Sequence, residues 1–412
     1  MRDRRNNWPF ASNQNSLTKV LILIDHYLPG SKYGGTLRTI SSLVETLGDD
    51  VEFRVLTHDR DLAETARYSR IETECWSQVG KAKVYYASPD QLSLFRLNSL
   101  LSKLCAEISP DVIFLNGIFG KLTIRSLLLR RLGLFPALPV LISPRGQLSF
   151  GSLQMKSTKK KAYLQLTTGL GCYRGLNWHA ASSLEITDVK RVIGKESAIY
   201  LSPNIPAQIA ALNGNDSNRP KKMPGKLRLV YLSRISPVKN LVHTLEVLRN
   251  TSGVVEFDIY GHVDDRAYWR QCQNLVTELP GNIRTNYLGP VELQDVPNTL
   301  SRYHFFVLPT LGENFGHAIF EALAKGCPLI ISDKTPWREL EQKGVGWDLP
   351  LNNKRGWQHA IEQAIEMDQP TYEGMSLAAR QLSIDWVSQT KTIEQNHALF
   401  TRFAVSQAHS IA

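Results

Sequence analysis

The stretch 308–328, LPTLGENFGHAIFEALAKGCP, gives the strongest indication of how this chain folds. A strand at 304–308 is predicted to run into the loop 309–316, and a helix is predicted to begin near residues 315–317. Backbone N–H groups at the start of a helix, beside loop glycines, bind anions. A strand, a glycine loop and a helix in this order are typical of a doubly wound α/β domain that holds an anionic ligand.

Two carboxylates flank this junction, Glu313 in the loop and Glu321 in the predicted helix. Their spacing of eight residues corresponds to about 12 Å along a helix. That distance exceeds the roughly 5–10 Å that separates two carboxylates acting on one glycosidic bond. It suits one extended ligand that has hydroxyl groups at both ends and a diphosphate between them. A nucleotide sugar has this form, with the sugar at one end and the ribose at the other.

The N-terminal part repeats the same order of elements. Residues 20–25 (VLILID) are predicted to form a buried parallel strand, the loop 26–36 contains Gly34 and Gly35, and apolar residues recur at helical spacing over 37–47. Further strands are predicted at 51–57, 83–87, 111–115, 139–143, 227–232, 256–260, 285–288 and 328–331. This alternation of strands and helices predicts parallel sheets with helices on both faces.

A chain of 412 residues is too long for one ordinary core and predicts two domains. Residues 206–226 are rich in glycine, proline and asparagine and are interpreted as a linker. We therefore expect Rossmann-like domains at 1–205 and 227–390, with a C-terminal helix in 391–412 that packs back on the first domain. Because ligands bind beyond the carboxyl ends of such strands, the two domains are expected to enclose a cleft.

The net charge of +10 lies entirely in the first half of the chain. Residues 1–200 contain 27 Lys and Arg against 17 Asp and Glu, whereas residues 201–412 contain 21 of each. An anionic partner is therefore indicated, either an anionic membrane surface or a lipid-diphosphate acceptor. Nucleic acid is disfavoured because the sequence has neither a zinc finger nor an RNP-type aromatic motif.

Cysteine usage and hydropathy indicate the class of protein. The five cysteines are scattered and form no CxxC pair, which argues against a disulfide framework and against a structural zinc site. No apolar run approaches the ~20 residues that span a bilayer, and the N-terminal segment lacks the apolar core of a secretory signal. A cytoplasmic protein is expected, with peripheral contact at the inner membrane face left open.

The sequence resembles a known family in several segments. Glu313-x7-Glu321, within ENFGHAIFEALAKGCPLI, is similar to the EX7E signature of GT-B glycosyltransferases, in particular the retaining family 4 (group 1). In YLSRISPVKN, Arg234 and Lys239 match the cations that follow a strand of the C-terminal domain in that family. The segments TPW (335–337) and GWDLPL (346–351) resemble members that build bacterial surface polysaccharides.

The resemblance implies a role for each matching residue. The C-terminal domain would bind a nucleotide-sugar donor and the N-terminal domain a glycan or lipid-linked acceptor. Arg234 and Lys239 would grip the donor diphosphate, and Glu313 would contact the sugar hydroxyls. Glu321 would hold the ribose. The remaining donor-binding residues would be Asn314, Phe315 and Gly316 at the sugar and diphosphate, Gly289, Pro290 and Val291 at the base, and Gly34 and Gly35 at the phosphates.

One segment departs from the family pattern. Family members often carry a histidine after the strand that matches 139–143, whereas this chain reads SPRGQLSF with Arg145 in that place. A subset of the family has the PRG form, so the departure does not indicate a loss of activity. Arg145 is expected to be a catalytic residue that binds either an anionic acceptor or the donor phosphate.

Fixed cations and oriented N–H groups would stabilise the charge that grows on a leaving diphosphate, so neither a metal nor another cofactor is expected. Asp264 and Asp265, the only adjacent aspartates apart from Asp49 and Asp50, lie in a polar turn and are not expected to bind a metal. Retention, with the leaving phosphate acting as the base, is implied by the resemblance.

Other functions on this fold stay open. They are a nucleotide-sugar epimerase or hydrolase, and a binding module without catalysis. A nicotinamide dehydrogenase is disfavoured because no GxGxxG follows the first strand.

Overall fold

The computed structural model describes residues 17–30, 32–154, 157–195, 197–206, 219–389 and 391–408. Most of the predicted linker, residues 207–218, lies outside this described part. Two sheets organise the chain, one before and one after that segment. The predicted fold class, two doubly wound α/β units, is confirmed.

The N-terminal sheet has eight strands in the order β3-β4-β2-β1-β5-β6-β7-β8. All neighbouring strands are parallel except β3, which is antiparallel to β4. Its elements are β1 (Thr18–Leu23), α1 (Gly35–Leu47), β2 (Val51–His58), β3 (Trp76–Val79), β4 (Ala82–Ala87), α2 (Leu94–Ile108), β5 (Val112–Asn116), α3 (Lys121–Arg131), β6 (Val140–Ser143), α4 (Phe150–Gln154), α5 (Ser157–Gly169), β7 (Asn177–Ala180), α6 (Ser183–Val192) and β8 (Ala198–Leu201).

The C-terminal sheet has six parallel strands in the order β11-β10-β9-β12-β13-β14. Its elements, with the helices that follow, are β9 (Lys226–Leu232), α7 (Leu241–Leu248), β10 (Val254–Tyr260), α8 (Arg266–Thr277), β11 (Ile283–Gly289), α9 (Val296–Leu300), β12 (Phe305–Leu308), α10 (His317–Ala324), β13 (Leu329–Ser332), β14 (Gly346–Leu349), α11 (Lys354–Glu366), α12 (Gln369–Gln389) and α13 (Thr392–Ala408).

Four strands were not predicted from the sequence: β3, β7, β8 and β14. The last of these is formed by the GWDLPL segment, which was noted only for its resemblance. Strand β3 is a half-buried edge strand joined to β4 by a tight turn at Gly80, where φ is +55°. A short edge strand lacks the continuous apolar run that identifies a central strand of a parallel sheet. The predicted central strands, by contrast, end within about two residues of the observed ones.

The strand order reverses direction once in each sheet, between β1 and β5 and between β9 and β12. A crevice opens at such a switch point, outside the carboxyl ends of the strands. The loop that contains Gly34 follows β1, and the loops with Arg234 and Glu313 follow β9 and β12. The fold therefore places the predicted binding loops at the two switch points.

Helix α13 packs against the N-terminal sheet although it follows the C-terminal sheet in the chain. Leu399, Phe400 and Phe403 are buried in the same core as β1 and β2, and the Phe400 ring lies 5.7 Å from that of Phe53. Asn396 also donates a hydrogen bond from Nδ2 to the carbonyl of Pro203. Within the described residues, no helix is both long and apolar enough to cross a membrane.

Candidate active site

The loop after β9 presents Arg234 at the surface of the cleft. The loop is fixed by a hydrogen bond from the Ile235 N–H to the carbonyl of His262. The Arg234 side chain is 46% exposed and donates from Nη1 to Asp264 Oδ2 at 2.6 Å. Its guanidinium is therefore held at one edge while the rest stays accessible to a ligand. Asp265 caps α8 by accepting from the Tyr268 N–H, so both aspartates of this turn have protein partners.

Lys239 and Glu313 form an ion pair that joins the loops after β9 and β12. Their side chains are 12% and 15% exposed. The Leu311 N–H donates to the Val238 carbonyl at 2.7 Å, which fixes the two loops to each other. Because both side chains are largely shielded from water, removing one charge would leave the other buried without a counter-charge.

The start of α10 offers unpaired backbone donors. Gly316 precedes the helix with φ +79°, in the left-handed region. Throughout the part of the chain that is described, the N–H groups of Asn314, Phe315 and Gly316 have no hydrogen-bond acceptor. The Phe315 carbonyl accepts a hydrogen bond from Trp337 Nε1 at 2.6 Å, so the TPW segment holds this turn in place. The geometry is that of an anion site at a helix N-terminus.

Glu321 is buried one turn beyond this start and is paired with a residue of the other domain. Arg38 Nη2 lies 2.8 Å from Glu321 Oε1, and Nη1 donates to Oε2 at 3.1 Å. Burial raises the pKa of Glu321, and the charge of Arg38 opposes that rise. The sequence predicts a ribose contact for Glu321 but no protein partner. The sequence indicates this pairing only through the presence of Arg38, the one charged residue near the start of α1.

The glycine loop of the N-terminal domain faces Arg234. Gly34 has φ +67°, and a Cβ built on it would lie 3.4 Å from Arg234 Nε. Gly35 begins α1 and has no atom within 4 Å of such a Cβ. Burial raises the pKa of the neighbouring Tyr33, and the charge of Asp25 adds to the rise. Gly34 therefore lies beside the Arg234 side chain, on the opposite side of the cleft.

Arg145 is held within the N-terminal domain. Its Nε and Nη2 donate to Asn116 Oδ1 at 3.0 and 2.7 Å, and its Nη1 donates to Asn204 Oδ1 at 3.1 Å. The guanidinium also lies 5.4 Å from the centre of the Phe114 ring. Burial lowers the pKa of Arg145 to about 10, so the side chain stays cationic at neutral pH. Three of its five N–H groups are engaged, which leaves two for a ligand.

The loop of Arg145 also meets Asn314 from across the cleft. A Cβ built on Gly146 would lie 3.2 Å from the Cβ of Asn314, and Ser182 Oγ donates to Asn314 Oδ1 at 3.4 Å. A cavity of about 190 Å³ lies between the domains beside Asn314 and Phe315. The predicted sugar end of the site therefore borders residues of both domains.

Gly289, Pro290 and Val291 lie at the carboxyl end of β11, farther along the same sheet edge. The Gly289 carbonyl accepts from the Gly261 N–H at 2.9 Å. Gly261 lies just before the turn whose Asp264 pairs with Arg234. The three residues are thus connected to the Arg234 side of the cleft, while no hydrogen bond joins them to Glu321 among the described residues.

A metal site is not formed by the acidic side chains of the described residues. These residues contain no group of three or more His, Cys, Asp or Glu side chains arranged to hold a metal ion.

This chain is similar in sequence to known glycosyltransferases. Residues 214–382 match the family described as glycosyl transferases group 1. The O-antigen chain mannosyltransferase RfbU of Salmonella typhimurium strain LT2 is 24% identical over 131 residues, which are 30% of this chain and 37% of that protein. The match thus spans little more than a third of that relative's length.

Solved structures of similar fold cover almost the whole chain. HepE from Anabaena, in complex with UDP-glucose, superposes with a TM-score of 0.68 at 16% identity, covering 94% of this chain and 99% of HepE. Sucrose-phosphate synthase from Thermosynechococcus elongatus superposes with a TM-score of 0.66 at 15% identity, covering 96% and 98%. The fold of this chain is GT-B.

Proposed function

We propose that this chain, a glycosyltransferase whose residues 214–382 belong to the glycosyl transferases group 1 family, moves a sugar from a nucleotide-sugar donor to a glycan or lipid-linked acceptor. One observation carries the proposal: Arg234, the Lys239–Glu313 pair, the unpaired N–H groups before α10 and Glu321 all lie along one switch-point cleft. RfbU, an O-antigen chain mannosyltransferase, supports a place in surface polysaccharide biosynthesis.

On this proposal the diphosphate of the donor lies between Arg234 and the start of α10. Charge grows on the leaving diphosphate as its bond to the sugar breaks, and fixed donors in a partly dry site stabilise that charge most strongly. Arg234 contributes a fork of donors, and Lys239 contributes a compact charge. An ammonium group has three N–H donors, so Lys239 can orient Glu313 and still donate to a phosphate oxygen. Glu313 then accepts hydrogen bonds from the sugar hydroxyls.

We propose that the sugar keeps its anomeric configuration because the acceptor attacks from the side of the leaving group. The surroundings of two carboxylates of the N-terminal domain, Asp25 and Glu185, support this mechanism. Burial raises the pKa of Tyr33 and lowers the pKa of Arg145; the charge of Asp25 adds to the first shift and the charge of Glu185 opposes the second, so both carboxylates lie near cleft residues. Both oxygens of Asp25 accept backbone N–H groups at the start of α3, and both oxygens of Glu185 accept those of Gly146 and Ala181. Because both carboxylates are buried and hydrogen-bonded to the backbone of their own domain, the proposal gives neither the role of a covalent nucleophile and assigns the acceptor's proton to a leaving phosphate oxygen.

Arg145 is proposed as the cation on the acceptor side of the cleft. Its two unengaged N–H groups and its position beside Asn116 and Asn204 suit a phosphate or another anionic group near the sugar. A lipid-linked acceptor carries such a group.

Peripheral binding to an anionic membrane is supported by one surface, the α3–α5 face, formed by the exposed side chains of α3, α5 and the segment 132–134. Between Asp111 and Glu185 the sequence has ten Lys and Arg and no Asp or Glu. Leu132 and Leu166 on this face are each 62% exposed. Basic side chains with exposed leucines are typical of surfaces that lie on anionic lipid. The five free cysteines accord with the reducing cytoplasm that this proposal assigns to the protein.

Nucleotide binding tests the proposal. The melting temperature of the purified protein is measured with UDP, GDP and ADP and with their sugar conjugates, for wild type and Glu321→Ala. A ligand at about 100 times its Kd stabilises the folded state by about 2.7 kcal/mol. Stabilisation of wild type by one nucleotide series, lost in Glu321→Ala, is the expected result. No stabilisation by any of these ligands would contradict the donor site.

Product analysis then separates transfer from the other activities. Transfer releases the nucleoside diphosphate only when an acceptor is present, whereas a hydrolase releases it in water alone. An epimerase releases no nucleotide, and a binding module changes no bond.

A further inference from the structure

Helices α1 and α10 belong to different domains and meet through two adjacent polar contacts. Arg38 binds both oxygens of Glu321, with the two side chains 15% and 7% exposed. Thr39 Oγ1, on the next residue of α1, lies 2.9 Å from His317 Nε2, one turn before Glu321 on α10. The ribose-binding position of the proposed donor site is therefore joined directly to the N-terminal domain.

The contact leaves the carboxylate able to accept further hydrogen bonds. An ionised carboxylate has about four acceptor positions, two on each oxygen. Arg38 uses one position on each oxygen, and the described residues supply no other donor to this group. About one position remains on each oxygen, which is the number that the two neighbouring hydroxyl groups of a ribose require.

The guanidinium also fixes the direction in which those positions point. Two parallel N–H···O bonds to a carboxylate define its plane. Arg38 Nε is buried without a hydrogen-bond partner in the described structure, so among its donors only the two Nη groups orient the pair. Without Arg38, Glu321 would be a buried carboxylate that has lost its counter-charge, a costly state that favours a neutral or rotated carboxyl group.

We infer that Arg38 is a positioning residue for the nucleotide: it holds the Glu321 carboxylate in the plane in which its oxygens accept the 2′- and 3′-hydroxyl groups of the ribose. The inference rests on the proposed function, since it requires a nucleotide in this cleft.

Ribose selectivity tests this role. The dissociation constants of UDP, GDP and ADP, each paired with its 2′-deoxy form, are measured by calorimetry for wild type, Arg38→Gln, Arg38→Lys and Glu321→Gln. Arg249→Gln is the matched control, because it makes the same chemical change in an exposed Arg249–Glu278 pair far along the chain. Melting temperatures verify that each variant is folded.

Wild type is expected to bind the ribose form at least about tenfold more tightly than the deoxy form, since a hydrogen bond to a charged group is lost in the latter. Arg38→Gln is expected to weaken the ribose form at least about tenfold and the deoxy form little, which brings the ratio toward one. Arg38→Lys, which keeps the charge, is expected to retain part of the ratio, and Arg249→Gln all of it. Arg38→Gln is expected to add little in a Glu321→Gln background.

Three results would overturn the role of Arg38. They are an unchanged ribose-to-deoxyribose ratio in Arg38→Gln, no such ratio in wild type, or tighter nucleotide binding by Arg38→Gln, which would mean that Arg38 competes with the ribose. In each of these cases a nucleotide still binds, so the proposed function survives. If wild type binds none of the nucleotides, the proposed function fails together with the inference.

Discussion

Gly316 sets the geometry of the turn that presents the unpaired N–H groups. Its φ is +79°, and a Cβ there would lie 2.7 Å from Ile319 Cδ1. The left-handed conformation costs a residue with a Cβ about 1–2 kcal/mol. Gly316→Ala is therefore expected to lower the free energy of unfolding by about this amount and to weaken nucleotide binding. Urea unfolding and nucleotide-induced thermal shifts measure the two effects.

Gly374→Ala provides the control for that substitution. Gly374 lies within α12, its φ is not in the left-handed region, and a Cβ there would meet nothing within 4 Å. Alanine at a helical glycine is neutral or stabilising by up to about 1 kcal/mol. Nucleotide affinity that is equal in Gly316→Ala and Gly374→Ala would contradict the role assigned to the turn.

The Lys239–Glu313 pair combines stability with the proposed chemistry. Lys239→Met leaves Glu313 largely buried without its counter-charge, which is expected to cost roughly 2–4 kcal/mol of stability. The double variant Lys239→Met/Glu313→Gln removes both charges and is expected to regain part of that loss. Chemical denaturation of Lys239→Met, Glu313→Gln and the double variant completes this double-mutant cycle.

Sugar-transfer activity is expected to differ from stability in how it responds to the same three variants. Because both side chains are proposed to contact the donor, the double variant is expected to be as inactive as either single one. Recovery of transfer together with stability would show that the pair is structural alone.

At the scale of elements, the α3–α5 face is proposed to bind lipid. Arg131 Nε donates to the Leu170 carbonyl at 2.6 Å, which ties the end of α3 to the segment after α5. Lys159 and Lys161 are exposed on α5. Each basic side chain near an anionic surface contributes about 1 kcal/mol. Lys159→Glu/Lys161→Glu is therefore expected to lower partitioning onto phosphatidylglycerol vesicles by about 30-fold or more.

Vesicle sedimentation measures this effect, with vesicles of phosphatidylcholine alone as the uncharged reference. Leu166→Ser on the face is paired with Leu377→Ser on α12, where the leucine is 67% exposed in the other domain. Only the first is expected to weaken binding. Equal effects of the two leucine variants, or unchanged binding of the lysine variant, would rule the face out.

At the scale of the whole molecule, the buried histidines make stability depend on pH. Burial lowers the pKa of His179 to about 3, of His317 to about 3 and of His304 to about 4; the charge of Arg145 adds to the shift of the first two. The unfolded chain protonates these groups near pH ~6.5, whereas the folded chain keeps them neutral. The unfolded state then binds more protons, so stability falls as pH drops below ~6.5.

Between about pH 7.5 and 5.5 each histidine is expected to remove about 1 kcal/mol from the free energy of unfolding. The buried carboxyl groups of Glu185 and Glu321, whose pKa values burial raises, oppose this loss to the extent that they take up protons in the folded state. Urea unfolding at the two pH values measures the loss of unfolding free energy. In His179→Gln this loss is expected to be about 1 kcal/mol smaller than in wild type. The same loss in the variant as in wild type would contradict this account.

The sequence alone determined the features that depend on neighbouring residues. Continuous apolar runs fixed the central strands of both sheets, because a strand buried on two faces needs them. The spacing of Glu313 and Glu321, and of Arg234 and Lys239, predicted a donor site in two loops, because each pair lies in one strand–loop–helix unit. The fold class followed from these local patterns.

The tertiary structure alone decided which of these residues meet. Arg38 and Glu321 are 283 positions apart, and Arg145 is 29 positions from Asn116 and 59 from Asn204. The place of α13 in the N-terminal core likewise depends on its contact with strands near the other end of the chain. Local patterns record which face of an element is buried but not which surface buries it, because that choice is made by the packing of all elements together.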